Sequence, residues 1–209
     1  MALSPLRLKT HWFRRGGPKT PKQQAGAMGF TQWRVALQML KRMRGADFDI
    51  DAGKPYFAFL SEVLVFLVVV ADRLAYARFD AADRHAFSTA LVLHVADTLE
   101  GNQIDMMGPS PADQPRPRDQ FIDLYNDIAP HYGEFDGEPG AAEFTPGFLF
   151  LRYLGHRLEP TLPPAHQRWV IDQVMAIEAP EAVALVQRTL RELCGTEPRV
   201  VRHSSVSAD

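Results

Sequence analysis

The chain has 209 residues, 46% of them hydrophobic and 23% charged, with a single cysteine. This composition excludes a disordered chain, which holds fewer apolar residues, and a disulfide scaffold, which needs several cysteines. The net charge of −2 hides an asymmetry. The first 46 residues hold ten basic and no acidic side chains, whereas the other 163 hold 13 basic and 25 acidic ones. A basic N-terminal segment of this kind either meets an anionic partner or lies on its own acidic body.

Three segments are predicted along the chain: a flexible basic tail over 1–30, a helical domain over 31–195 and a C-terminal tail over 196–209. Glycine and proline, including Pro21, discourage regular structure in the first segment. Deletion of residues 1–30 is therefore expected to leave folding intact. Two aromatic residues beside two arginines make one part of this tail the most adhesive, and it is the predicted partner-binding segment. These residues are Trp12, Phe13, Arg14 and Arg15.

Hydrophobic periodicity predicts an all-α fold, a single-domain bundle of about seven helices. No window alternates polar and β-branched residues as a strand would. Thr31 is a suitable N-cap for the first helix and Asp80 for the third. Pro130 is expected to end or kink the fourth, because its ring blocks helical bonding. The predicted helices span about 32–44, 55–78, 81–100, 118–129, 145–159, 164–178 and 180–193.

The second predicted helix, from Pro55 to about Arg78, is apolar on every side. Such a helix is either buried at the centre of a protein or spans a membrane. Its uninterrupted apolar run, from Val63 to Ala71, is nine residues long, which is too short for a span. The chain also begins without the apolar core of a secretory signal. We therefore expect a soluble, cytoplasmic protein with this helix at its centre.

Polar side chains within the apolar helices are the most informative feature. Glu62 must be paired or protonated, because burying a lone carboxylate is expensive. Arg73 returns to within about 20° of the Glu62 direction around the helix. His94 lies on the expected buried face of the third helix, near Asp97. Since a very short link makes the two helices antiparallel neighbours, the sequence predicts one buried polar cluster. Its members are Glu62, Asp72, Arg73, His94 and Asp97.

This predicted cluster has two interpretations. Carboxylates and imidazoles on facing helices bind iron or manganese in four-helix carboxylate proteins, which carry Glu-x-x-His pairs. No such pair occurs here, and His94-x-x-Asp97 has the reverse order. The favoured interpretation is a structural set of ion pairs that fixes helix packing, with no metal and no cofactor.

Other candidate residues have simpler interpretations. Asp119, Asp123 and Asp127 recur every four residues on the fourth helix and predict a solvated acidic face, with docking of a basic partner as the alternative. Trp169 is expected in the core, among valines and isoleucine at helical spacing. Both His156 and Arg157 are expected at the surface. The thiol of Cys194 has no base suggested nearby, so it reads as a small helix residue.

Motifs that would name a reaction are missing from the chain. It has no phosphate-binding loop, dinucleotide fingerprint, His-Glu-x-x-His, Cys-x-x-Cys or Gly-x-Ser-x-Gly. The leading hypothesis is a non-catalytic adaptor, assembly factor or regulator that binds a protein partner. The alternative is a helical-bundle enzyme or sensor that uses the buried carboxylate and histidine cluster, with or without a metal. Nucleic acid is disfavoured, because the acidic body would repel phosphates.

Overall fold

The computed structural model describes residues 19–135 and 144–194. Helices hold 82% of these residues and none of them lies in a strand, which confirms the all-α class. A 3₁₀ turn, Glu159–Thr161, follows the fifth helix and a π-helical segment, Val174–Glu178, separates the last two. The α-helices are α1 (Pro21–Gly45), α2 (Lys54–Tyr76), α3 (Ala81–Met107), α4 (Pro117–Glu134), α5 (Phe148–Leu158), α6 (Pro164–Gln173) and α7 (Ala179–Cys194).

Helix α2 lies at the centre of the bundle, as its all-round apolar character predicts. It packs against α1, α3, α4, α5 and α7. Every residue from Glu62 to Ala71 is buried, and Phe59 and Phe66 are fully enclosed. None of the helices in the described ranges combines the length and apolar character needed to cross a bilayer. The position of α2 makes it the element from which the other helices take their places.

Helix α1 begins at Pro21, about eleven residues before its predicted start. Thr20 caps it through a reciprocal capping box with Gln23, and proline fits the first turn because its missing N–H needs no partner. The early turns bury Ala25 and Met28. The predicted tail boundary at residue 30 is therefore wrong, and deletion of residues 1–30 would remove part of the core. Residues 1–18, including the predicted partner-binding segment, and residues 195–209 lie outside the described part.

Helices α1 and α3 approach each other closely at a glycine. A Cβ atom placed on Gly29 would lie 2.4 Å from Cδ2 of His94, well inside van der Waals contact. Thr31, the predicted cap, lies within α1, where its hydroxyl donates to the carbonyl of Ala27. Two features explain why α1 extends where the glycine content suggested a tail. Thr20 caps the helix, and Gly29 lets α1 pack closely against α3.

Two helices run past the breakers at which they were predicted to end. Helix α3 passes through Gly101. The side-chain amide of Asn102 donates to the backbone carbonyl of Thr98 at 2.8 Å. Helix α4 contains Pro130 and continues to Glu134, because Tyr132 in its last turn is buried against the core. Tertiary burial outweighs the local cost of proline in α4, whereas the part of α3 beyond Gly101 is largely exposed and continues without such burial.

The last two predicted helices form one continuous rod from 164 to 194, so six helices are present in the described ranges rather than about seven. The π segment joins α6 to α7, with the Ala179 N–H donating to the Val174 carbonyl. Pro180 follows directly. Proline has no backbone N–H, and Pro180 was therefore expected to start a new helix. The helix instead continues through it, because the π segment changes the hydrogen-bond register just before it.

Candidate functional site

Glu62 is buried on α2 and pairs with an arginine from α5. Arg157 donates to both carboxylate oxygens, at 3.0 Å from Nε and 2.5 Å from Nη2. Burial raises the pKa of Glu62, and the hydrogen bond and charge of Arg157 oppose that rise. The expectation that Arg157 is an ordinary surface residue is wrong, because about two thirds of its side chain is covered. The predicted need for a partner at Glu62 is confirmed, but the partner lies 95 positions along the chain.

Asp72 belongs to a second, separate arrangement where α2 meets α3. Arg84 donates to both of its carboxylate oxygens, and Ser88 donates to one of them at 2.5 Å. Tyr125 of α4 borders the same cleft, where burial and the charge of Asp72 raise the tyrosine pKa to about 12. Tyr125 therefore stays protonated near neutral pH, and Arg84 and Ser88 hold the Asp72 carboxylate. This arrangement joins α2, α3 and α4.

The other three predicted residues have different neighbours again. Arg73 donates to the Tyr132 carbonyl at 3.2 Å. His94 lies half-buried against Gly29 of α1. Asp97 is an exposed residue, with 62% of its side chain open, and accepts from Arg118 of α4 at 2.7 Å.

The five predicted residues therefore do not meet in one buried cluster. Helices α2 and α3 are neighbours, as predicted. Each of the three carboxylates in the predicted cluster, however, pairs with an arginine from outside that cluster. Within the described residues, no group of three His, Cys, Asp or Glu side chains is arranged to hold a metal ion. The geometry favours the structural interpretation of these groups over a metal centre.

A third buried acid, Glu178, escaped sequence reasoning. It is fully buried in the π segment and accepts from Arg42 of α1 at 2.8 Å and from Gln173 at 3.2 Å. Arg42 also pairs with Glu181. Part of the basic N-terminal region thus lies on the acidic body, one of the two possibilities that its charge suggested. The signal available in the sequence was a single glutamate between apolar residues and Pro180.

The antiparallel hairpin of α5 and α6 places apolar side chains on its outer side. Phe148, Leu149 and Ile177 are 61%, 54% and 43% exposed. Gly155 of α5 lies against Ile171 of α6, with 3.0 Å between a Cβ built on the glycine and the Ile171 Cα. Phe148 and Leu149 are adjacent in the chain at the start of α5, and we call this pair the hairpin face.

Arginine lies beside the exposed aromatic residues of this hairpin. The Arg152 guanidinium is 6.0 Å from the centre of the Phe148 ring, and Arg168 is 4.8 Å from that of Trp169. The prediction that Trp169 is a core residue is wrong, since it is 55% exposed. Its neighbours Val170 and Val174 fill the core instead. Exposed aromatic and arginine side chains are the residue types that dominate protein interfaces.

A cleft opens on the other flank of α6, against the link between α1 and α2. Its volume is about 660 Å³. The rings of Phe48, His166 and Trp169 line it, and Asp47 and Asp172 bring two carboxylates to it. The ring centres of Phe48 and His166 are 6.0 Å apart. This cleft, called the α6 cleft below, was not foreseen because its parts lie more than a hundred residues apart.

Two smaller predictions have clear outcomes. Asp119, Asp123 and Asp127 are exposed, which confirms the solvated acidic face of α4. Burial raises the pKa of Cys194 to about 11, so the thiol is a poor nucleophile near neutral pH.

Comparison of the chain with protein-family models, with curated proteins and with solved structures gives no match. Function is therefore argued from the side chains alone.

Proposed function

We propose that this protein is a non-catalytic cytoplasmic adaptor or regulator that binds a partner protein through the hairpin face. The observation that carries the proposal is the exposure of two adjacent large apolar side chains, Phe148 and Leu149, at the start of α5. Isolated exposed apolar residues are ordinary, but a contiguous group commonly marks an interaction site. The single cysteine supports a reducing compartment such as the cytoplasm.

The charge beside the hairpin face favours a partner segment that is both apolar and acidic. Arg152 lies over Phe148, and no carboxylate of the described residues is within ion-pair distance of it. Its nearest polar contact is a long one of 3.4 Å to His156. A guanidinium with a planar fork of donors binds a carboxylate in two parallel hydrogen bonds. An acidic residue next to an apolar one would therefore match Arg152 and Phe148 together.

A catalytic role for the buried carboxylates receives less support. Glu62, Asp72 and Glu178 are each held by an arginine. General acid–base catalysis needs a group that can exchange protons with a substrate. Each of these carboxylates is instead engaged with its own arginine, which supports a structural role.

The basic segment Trp12 to Arg15 stays a hypothesis for a second contact, with an anionic surface of the same partner. It lies outside the described residues. Its support is the composition of the sequence alone, in which two aromatic and two basic side chains are adjacent.

Photo-crosslinking tests the hairpin face directly. A benzophenone amino acid at position 149 is expected to crosslink one partner chain in cells, and the same group at position 106, on the far end of α3, is expected not to. Met106 is 54% exposed, as is Leu149, so accessibility is matched. The captured partner is then purified, and its affinity for the unmodified chain is measured.

Two double variants sharpen this measurement. Phe148→Ser with Leu149→Ser is expected to weaken binding by about 30-fold, because buried interface anchors contribute about 2 kcal/mol. Met106→Ser with Met107→Ser is the matched control and is expected to change the affinity less than twofold. Arg152→Glu should weaken binding through charge reversal. Equal losses from the two double variants, capture of a second copy of this chain, or a partner segment without acidic residues would each overturn the proposal.

A further inference from the structure

The α6 cleft is a depression open to solvent, with a mostly apolar lining. Its volume of about 660 Å³ is large enough for a small molecule, since ligand pockets run from about 300 to 1,000 Å³. Its lining contains no lysine or arginine among the described residues, and its acidic groups are Asp47 and Asp172.

The two aspartates are exposed at the edges of the cleft. Asp47 and Asp172 make no ion pair and accept no side-chain hydrogen bond within the described part of the chain. By contrast, the buried acids Glu62, Glu100 and Glu178 each face an arginine. The charges of Asp47 and Asp172 are therefore available to attract a cation into the cleft.

The edge of the cleft at Asp47 is the end of α1. The φ angle of Asp47 is +63°, that of the left-handed residue which follows many helices. The Phe48 N–H donates to the Met43 carbonyl and the Asp47 N–H to the Arg44 carbonyl, the two bonds of a Schellman cap. The helix end therefore fixes Asp47 in place, and the π segment supplies Ala176 to the opposite side of the lining.

The rings of the cleft add attraction for a positive charge. An aromatic face attracts cations electrostatically, most strongly in tryptophan. The Arg168 guanidinium lies 4.8 Å from the ring centre of Trp169, so a bound cation would use the opposite face of this ring. Phe48 and His166 provide two further rings at the same cleft. Rings together with carboxylates are the combination by which proteins recognise alkylammonium groups.

We infer that the α6 cleft binds an organic cation, an alkylammonium group held by Trp169 and Phe48 and neutralised by Asp47 and Asp172. The group is carried either by a small free amine or by a methylated lysine side chain of a peptide. This site shares no residue with the hairpin face, so it stands or falls separately from the proposed function.

Choline and 3,3-dimethylbutan-1-ol have the same shape, but only choline carries a positive charge. A comparison of their binding therefore tests the inference. The alcohol replaces the ammonium nitrogen by carbon and is otherwise matched. Binding is followed by the NMR signal of the Trp169 indole N–H, assigned by its loss in Trp169→Phe. Choline is expected to shift this signal saturably, with an affinity at least about fivefold higher than that of the alcohol. Equal affinities, or no saturable shift with choline, would overturn the inference.

Variants separate charge from ring. Trp169→Leu, followed on neighbouring backbone amides, keeps an apolar side chain and is expected to weaken choline binding two- to fivefold. Asp47→Asn and Asp172→Asn are each expected to weaken it, more so at low salt. Asp105→Asn, an exposed aspartate on α3, is the matched control. A loss as large in this control as in Asp172→Asn would show a general charge effect and overturn the site.

Two further experiments identify the molecule that carries the cation and test whether the α6 cleft is independent of the hairpin face. A short peptide with trimethyl-lysine is compared with the same peptide carrying glutamine and with choline. Tenfold tighter binding of the methylated peptide than of choline assigns a polypeptide ligand, and similar binding assigns a free amine. Leu149→Ser, on the hairpin face, is expected to leave choline binding unchanged. A loss there equal to that of Trp169→Leu would contradict a separate site.

Discussion

Helix α2 and the hairpin of α5 and α6 place polar and apolar side chains in opposite ways. In α2, the apolar residues from Val63 to Ala71 are enclosed, and Glu62 within the helix is matched by an arginine. In the hairpin, Phe148 and Trp169 face solvent, and Asp172 has no cationic partner in the described residues.

This difference separates structure from function in the molecule. A buried charge is tolerated when it is paired, and such pairs specify packing. An exposed apolar group or an unmatched carboxylate gains nothing for the isolated fold. The polar groups that the sequence made conspicuous belong to the first class, whereas the residues proposed to bind partners belong to the second.

The largest expected effect comes from replacing one phenylalanine by alanine in each of the two regions. Phe66→Ala in α2 is expected to lower the free energy of unfolding by about 3–5 kcal/mol, because it leaves a cavity in an enclosed core. Phe148→Ala in the hairpin is expected to change it by no more than about 0.5 kcal/mol. Urea unfolding followed by circular dichroism measures both. Similar losses would mean that the hairpin face is part of the core.

Arg157→Met should give the next largest effect, because it leaves the buried Glu62 without its partner. Removal of one member of a buried pair costs several kcal/mol; since a third of the Arg157 side chain is exposed, we expect about 2–3 kcal/mol at pH 7. Without Arg157 the pKa of Glu62 rises further above its ordinary value of 4.5. Protonated Glu62 needs no cation, so the loss should shrink as the pH falls from 7 toward 4.5.

The double variant Glu62→Gln with Arg157→Met controls for lost packing. It is expected to recover part of the stability at pH 7 and to show little of that pH dependence. A loss in Arg157→Met that stays constant from pH 4.5 to 7 would mean that Glu62 is not the buried charge responsible.

Alanine substitutions at two glycines of α1 are expected to change the free energy of unfolding by smaller amounts and in opposite directions. Gly29→Ala is expected to destabilise the fold by about 1–2 kcal/mol, because the new methyl group would collide with His94. Gly26→Ala, three residues earlier with open space around it, is expected to stabilise by up to about 1 kcal/mol. Adding His94→Ala should relieve the loss in Gly29→Ala. Thermal unfolding measures all three, and equal effects at the two glycines would remove His94 from this role.

Much of the fold follows from local pattern in the sequence. The all-round apolar character of α2 predicted its central place, and the cap at Asp80 predicted the start of α3, where its carboxylate accepts from the Asp83 N–H at 2.8 Å. Errors arose at individual prolines and glycines. Pro21 was read as a breaker, yet it lies in the first turn of α1, a position that tolerates proline. Pro180 was expected to start a separate helix, yet the π segment before it joins α7 to α6.

The sites were less predictable, because pairing partners are distant in sequence. Helical spacing shows which residues share a face of one helix, but it cannot show that Arg157 crosses to Glu62 or that Arg42 crosses to Glu178. The same limit explains Trp169: its spacing matches the core valines, and its exposure is set by how far α6 turns against α5. Unusual single residues in a pattern were sound signals of pairing, but not of the partner.

The smallest expected effect distinguishes Glu62 from Glu100 of α3, an acid with the same small exposed fraction. Hydrogen bonds from Arg116 lower the pKa of Glu100, whereas burial raises that of Glu62. A lowered pKa stabilises the fold above the unfolded value, near 4.5, and this contribution is lost as the pH falls through the folded value. A raised pKa acts in the opposite direction, so its group favours folding more as the pH falls toward 4.5. Chemical denaturation from pH 3 to 7 should therefore give differences between the unmodified chain and the variant that rise with pH for Glu100→Gln and fall with pH for Glu62→Gln. Slopes of the same sign would mean that the pKa values of these two carboxylates are shifted in the same direction.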